Sequence, residues 1–386
     1  MNLNFYERKI KDAIRDATNT GSFDKRNILR NSNYICIFGV GKFFEEAYEQ
    51  YFLNRDIKVD YLCDNNPNKW GKEYKGIKCI SPDELKKLKN VVVIPLIGDL
   101  RGVQEQLDDM KIRHINPFAL FFDMIVNLPM DREWFVNNSN KFLEVYNIID
   151  DDKSKRIYAD VISNRIGEKC LLNDYEEIYS DGEYFDHGVF RLGKNEGFVD
   201  CGAYIGDSIS EFLEVTENNF DAIYSFEMDK NNFEILKNNV MKIDEAIANK
   251  IECFNCGVWN EYKVIQYGNE ESGSGESCSF YKAENNLLDE KQIQSVKAVK
   301  LDDVLYNKKV TLIKMDIEGA EQNALRGAEK IITTQKPKMA ICLYHRIDAF
   351  WEIPLYLKSL VPEYKISVRH HQSNGIGGTV CYAYVE

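Results

Sequence analysis

Nowhere in these 386 residues does an apolar run approach the ~20 residues that a membrane-spanning helix needs. The most apolar stretch, Val91–Ile97, is short and reads as a core strand. Positive charge is also in short supply. Against 62 Asp and Glu stand only 49 Lys and Arg, giving a formal net charge of −13. Wholesale binding to nucleic acid or to an anionic membrane is thereby disfavoured, though a local basic patch for a phosphorylated ligand is not. The stretch Met1–Lys9 lacks the apolar core of a signal peptide. The ten cysteines are scattered through apolar runs such as Tyr34–Phe38, Tyr61–Cys63 and Ala340–Leu343. That is the pattern of buried reduced thiols, and a cytoplasmic location is expected. Metal-ligand spacing is missing too. Cys253-Phe-Asn-Cys256 has CxxC spacing, but no second pair and no histidine lies close, so no metal is assigned.

What is present divides the chain. Its length suits two or three domains. In residues 1–125, strands at Tyr34–Phe38, Val59–Cys63, Val91–Leu96 and Ile112–Ile115 alternate with helices at Phe43–Leu53 and Asp99–Met110, and Ser81-Pro-Asp-Glu84 is a capping box. The alternation predicts a small Rossmann-like parallel α/β domain. Its turn, Gly39-Val-Gly41, carries Phe44 where a third glycine would stand, and Asp64 ends the second strand where an acid can hold ribose hydroxyls. A nucleotide, cofactor or sugar-nucleotide binder and a docking domain both fit. Residues 126–190 read as a helical connector, with helices at Trp134–Ile149 and Lys155–Ile166; Tyr179, Tyr184, Phe185 and His187 are expected to pack beneath it, with the lining of a substrate mouth as the alternative.

Residues 191–386 form the third region, organised around Gly197-Phe-Val-Asp-Cys-Gly-Ala-Tyr-Ile-Gly-Asp207. This reads as a buried strand, a glycine turn and a helix start, with Asp207 or Ser208 as the cap. Gly202 and Gly206 let the backbone bend and approach a ligand, and a helix N-terminus favours negative charge. Further strands follow at Ala222–Phe226, Ile251–Asn255, Thr311–Met315 and Lys338–Leu343. They deliver Glu227, Cys256-Gly257-Val258, Asp316-Ile-Glu318 and Tyr344-His345 to their C-terminal ends. The glycine–serine stretch within Glu270–Ser279 is the lid candidate. One helix is expected from Ala320 to Ile331. Tyr364–Arg369 and Val380–Val385 are too closely joined to pair other than antiparallel.

This element order, five βα units closed by an antiparallel hairpin, is that of the class I S-adenosylmethionine methyltransferases. The motifs Phe198-Val-Asp-Cys-Gly-Ala-Tyr-Ile-Gly-Asp-Ser208, Ser225-Phe-Glu-Met-Asp229, Lys314-Met-Asp-Ile-Glu-Gly-Ala-Glu321 and Leu343-Tyr-His345 resemble the FkbM family of methyltransferases. The resemblance implies a seven-stranded sheet, S-adenosyl-L-methionine as cofactor, and O-methylation of a hydroxyl on a sugar, sugar nucleotide or natural product, in many members within surface-polysaccharide pathways. It implies cofactor contacts from Asp200, Gly202, Ala203, Tyr204, Gly206, Asp207, Glu227, Met228, Gly257, Val258 and Asp316. Catalysis would fall to His345, Asp316 and Glu318, with His345 slightly favoured as base for its ordinary pKa. Taken alone, Asp316 and Glu318 could be helix caps, and His345 a structural hydrogen-bonding group. Two alternatives stand beside this reading: a nicotinamide-dependent sugar-nucleotide oxidoreductase using Gly39-Val-Gly41, and a non-catalytic binding protein.

Overall fold

The computed structural model describes residues 3–52, 57–98, 100–117, 119–121, 131–169, 172–268, 293–373, 375 and 377–386. The proposed lid at Glu270–Ser279 therefore lies outside the described residues. Two compact units divide the chain: Met1–Leu143 with Ala159–Glu177 and Asn374–Ile376, and Glu144–Tyr158 with Ile178–Ser373 and Gly377–Glu386.

The first unit carries strands β1 (Tyr34–Phe38), β2 (Tyr61–Cys63), β3 (Glu73–Tyr74), β4 (Ile77–Ile80), β5 (Val91–Pro95) and β6 (Arg113–His114). They form one sheet in the order β3-β4-β2-β1-β5-β6, parallel except for the β3–β4 hairpin. Side-chain alternation explains why both faces are covered. Ile35, Ile37, Val92 and Ile94 enter one core, while Cys36, Phe38, Val91 and Val93 enter another. The capping box at Ser81 forms, with Ser81 and Glu84 each accepting from the other's backbone. Strands β3 and β4 were not expected, because Glu73–Ile80 is short and rich in lysine and glycine.

The second unit continues with β7 (Gly197–Cys201), β8 (Ala222–Phe226), β9 (Ile251–Phe254), β10 (Gly257–Val258), β11 (Lys263–Gly268), β12 (Ile293–Val299), β13 (Leu312–Met315), β14 (Lys338–Cys342), β15 (Lys365–His370) and β16 (Thr379–Tyr384). Seven of them form a sheet in the order β15-β16-β14-β13-β7-β8-β9, in which β16 runs antiparallel to both β14 and β15. This is the expected seven-stranded sheet with its antiparallel hairpin. The chain steps outward from β7 to β8 and β9 on one side and from β13 to β14 on the other. The crevice between the C-terminal ends of β7 and β13 is therefore the switch point where open α/β sheets bind ligands.

A second sheet, β10-β12-β11, was not expected. Its core of Trp259, Ile265, Tyr267, Val296 and Ala298 packs against Met228 and Ile317, beside the large sheet's C-terminal edge. The single helix expected from Ala320 to Ile331 is instead two, Glu321–Arg326 and Glu329–Gln335. The break falls at Gly327, where a Cβ would lie 2.1 Å from the Trp259 carbonyl oxygen. Similarly, the helix expected over Trp134–Ile149 is two, Arg132–Asn138 and Lys141–Ile148.

Candidate functional site

The turn after β7 is held against its neighbours by backbone and by one buried ion pair. Gly202 and Ala203 donate to the Phe226 carbonyl at 2.9 and 3.1 Å, and Asp316 donates to the Cys201 carbonyl at 3.0 Å. Gly202 has φ +81°, and a Cβ there would meet the Asp316 carbonyl oxygen at 1.9 Å. Only glycine allows the β7 and β13 ends to approach this closely. Gly206, at φ +94°, caps the helix Asp207–Val215 without a side-chain hydrogen bond. Asp207 is already helical, and Ser208 donates to Asp200 Oδ2 at 2.7 Å, so neither is the expected cap.

Asp200 is fully buried, and its carboxylate is turned inward. Besides Ser208 it faces Lys314 Nζ at 3.1 Å from Oδ1. Lys314 also donates to the Gly202 carbonyl at 2.6 Å and lies over the Tyr184 ring at 5.1 Å. Burial alone would lower the Lys314 pKa, but Asp200 and Asp316 outweigh it and the net shift is upward. In this geometry Asp200 orders the turn through Lys314 and Ser208.

Glu227 follows β8 and reaches back to the same turn. Its Oε2 accepts from the Tyr204 N–H at 2.8 Å and its Oε1 from the Asp229 N–H at 2.7 Å. Tyr204 has φ +47°. Burial pushes the Glu227 carboxyl up to about 7, although the two backbone N–H groups pull the other way. Met228 packs with Ile317 against the small sheet, and Gly257 and Val258 are both buried as β10 of that sheet. These residues thus form an apolar wall beside Glu227.

At the β13 and β14 ends, carboxylates surround one imidazole. Asp316 accepts from the Tyr184 hydroxyl at 2.8 Å and the Tyr344 hydroxyl at 3.0 Å. His345 Nε2 lies 3.4 Å from Asp316 Oδ1 and 3.8 Å from Glu318 Oε2, and His345 Nδ1 lies 3.0 Å from Glu321 Oε1. Glu321 also accepts from the Ile317 and Gly319 N–H groups, at 3.0 and 3.3 Å. The helix Glu321–Arg326 has no side-chain cap, so neither Asp316 nor Glu318 caps it, and Glu321 instead holds the turn that leads into it. Burial pushes Asp316 up, but His345, Lys314 and the two phenols bring it below its ordinary value. For His345, burial favours the neutral ring, yet Glu321, Glu318 and Asp316 together raise its pKa to about 10. The ring is a cation at neutral pH, which removes the reason for favouring it as base.

Several contributors escaped the sequence reading. Lys314 and Glu321 were quoted within a motif but given no task. Tyr184, expected in core packing, turns its hydroxyl to Asp316 instead, with φ +67°. Of its neighbours, Phe185 does pack in the core, whereas Tyr179 and His187 are exposed. Glu183, beside Tyr184, is raised to about 7 by burial and by the charge of Asp316. No periodicity marks these residues, because the segment from Asp181 to Phe190 is all turns.

The profile of the FkbM methyltransferase domain matches residues 200–365, which include Asp200, Gly202, Gly206, Glu227, Lys314, Asp316, Glu318, Glu321 and His345. This segment is similar to the FkbM methyltransferase domain. The chain is similar in fold to the crystal structure of an FkbM methyltransferase from Methylobacillus flagellatus KT, with a TM-score of 0.74 and 23% identity over 99% of this chain and 100% of that one. A putative rRNA methylase from Clostridium thermocellum aligns over 54% of this chain and 98% of its own at 9% identity and TM-score 0.32. An rRNA methylase from Streptococcus thermophilus aligns over 50% and 90% at 11% identity and TM-score 0.30. These last two are too distant to say more. A sequence comparison with curated proteins finds no match.

The acid at the first unit's expected ribose position is already engaged. Asp64 accepts from the Val40 N–H at 2.9 Å, the Asn66 N–H at 2.8 Å and Lys69 at 2.8 Å. Among the described residues, no helix is long and apolar enough to cross a membrane.

Proposed function

We propose that the FkbM domain transfers a methyl group from S-adenosylmethionine to a hydroxyl of a sugar or sugar-like small molecule. The observation that carries the reading is the convergence, at one switch point, of the Gly202–Gly206 turn and Glu227 with the Asp316–Glu318–His345 group. The residues fit the cofactor. Gly202 and Gly206 put no side chain on the turn, and Glu227 has lone pairs left for two ribose hydroxyls. Met228, Gly257 and Val258 offer an apolar surface for a base. Bound there, the cofactor supplies a methyl group already activated by its sulfonium.

The protein's part is then to position and to take a proton. Asp200 and Lys314 lock the turn from behind. Asp316, held by two phenols, orients the acceptor. The acceptor proton leaves toward the Glu318 side of the group, where His345 carries a compensating positive charge. A positioned base of this kind contributes roughly 100- to 10,000-fold. The first unit takes no part in the transfer on this reading, since Asp64 is engaged internally. Free thiols among the described cysteines fit a reducing, cytoplasmic setting.

Incubation of the full chain with methyl-labelled S-adenosylmethionine and a panel of sugars, nucleotide sugars, amines and RNA tests the reading. Label is expected in an O-methyl product of a sugar-bearing acceptor. Label confined to amines or RNA overturns the hydroxyl assignment.

A further inference from the structure

We propose that Asp316, Glu321 and His345 bind a divalent first-row cation through two carboxylate oxygens and one imidazole nitrogen. One ligand atom from each residue can be chosen so that all three lie within 4.8 Å of one another. Glu321 Oε1 lies 3.0 Å from His345 Nδ1 and Asp316 Oδ1 lies 3.4 Å from His345 Nε2, so each carboxylate faces a different ring nitrogen. Ligands at ~2.1 Å from a common metal stand about 3.0–3.4 Å apart, so the set closes when one ring nitrogen turns to both carboxylates and the farther carboxylate moves in. Two carboxylates and one imidazole suit manganese or zinc better than calcium, which takes oxygen ligands alone.

The arrangement has what a metal site requires beyond its ligands. His345 and Glu321 are 3% and 1% exposed, while Asp316 is open on one side, leaving a face for water or acceptor. Carboxylate orientation is fixed from outside the set: the Tyr184 and Tyr344 hydroxyls hold Asp316, and the Ile317 and Gly319 N–H groups hold Glu321. Glu318 adds a third negative charge at 3.8 Å from the ring. On binding, the ring would release the proton it carries at neutral pH, and the dication would take over that positive charge among the three carboxylates. The sequence hid the set because its spacing, two positions across a strand end and a helix start and then one on the next strand's exit, matches no short metal motif.

The purpose of the site rests on the methyl-transfer reading, because the cation would lie where the acceptor hydroxyl loses its proton. Cation uptake does not depend on that reading, so the two fail separately. Equilibrium dialysis of the chelator-treated full chain against Mn2+, without donor or acceptor, is expected to show one tight equivalent per chain. The variant H345Q leaves every carboxylate in place. Simple attraction of Mn2+ to negative charge would leave its affinity unchanged or increase it, whereas ligation by the ring predicts a loss of at least tenfold. No tight equivalent in the wild type, or equal or tighter binding by H345Q, overturns the proposal. If H345Q does not fold, electron spin-echo modulation of Mn2+ bound to the wild type decides: coupling to an imidazole nitrogen supports the site and its absence refutes it. S-adenosylmethionine binding measured on the same chelated protein reports on the methyl-transfer reading independently.

Discussion

Glu227 is a structural clamp that, on the proposed function, is also a switchable ligand. It accepts two backbone N–H groups, yet burial holds it near 7 rather than in the ordinary carboxylate range. Ribose hydroxyls donate to the ionised form, so below that pKa binding must first expel a proton. S-adenosylmethionine affinity should therefore rise with pH, by about tenfold between pH 6 and pH 8 at one proton per site. Calorimetric titrations across that range check this, and E227Q should flatten the dependence. Lys314 makes the opposite kind of prediction, one of stability. K314M strands the Asp200 carboxylate without its cation and should cost about 3–5 kcal/mol. Adding D200N should recover a substantial part of that loss, as urea denaturation of the single and double variants will show. Equal losses in K314M and the double variant would mean that the pair is not coupled.

At the scale of elements, the turn after β7 is governed by contact distance more than by helix capping. Gly202→Ala would drive a Cβ to 1.9 Å from the Asp316 carbonyl oxygen at a backbone φ of +81°. Backbone strain of roughly 1–3 kcal/mol should combine with displacement of the β13 end. A folded variant with at least tenfold weaker cofactor binding is expected, by calorimetry alongside circular dichroism. Unchanged binding would place the cofactor elsewhere. The glycines were legible in the sequence because a strand, a turn and an amphipathic helix follow one another there. The reason Gly202 must be glycine was not, since the atom it avoids lies over a hundred residues away. The break at Gly327 was hidden in the same way, because it depends on the Trp259 carbonyl, far outside its own segment. The β11–β12 hairpin escaped notice because its strands carry several polar residues on one face and bury only the other.

Across the whole molecule, hydrophobic periodicity carried the sequence reading furthest. Strands buried on both faces, such as Val91–Pro95 and Lys338–Cys342, are near-continuous apolar runs and were placed to within a residue or two. Side chains that complete a site from irregular segments, Tyr184 and Glu183 above all, leave no such trace. The two large sheets share a parallel, doubly covered plan, but their switch points differ in chemistry: Asp64 in the first is held by Lys69, whereas Glu227 in the second accepts from the Tyr204 and Asp229 backbone N–H groups. That contrast is why we propose the second unit for the donor. Calorimetric titration of the full-length chain with S-adenosylmethionine, repeated with E227A and with a nicotinamide dinucleotide in place of the donor, tests this most directly. The account predicts one S-adenosylmethionine site per chain, weakened at least tenfold in a folded E227A variant, and no heat from the dinucleotide. Dinucleotide binding without S-adenosylmethionine binding, or a donor affinity untouched by E227A, would contradict it.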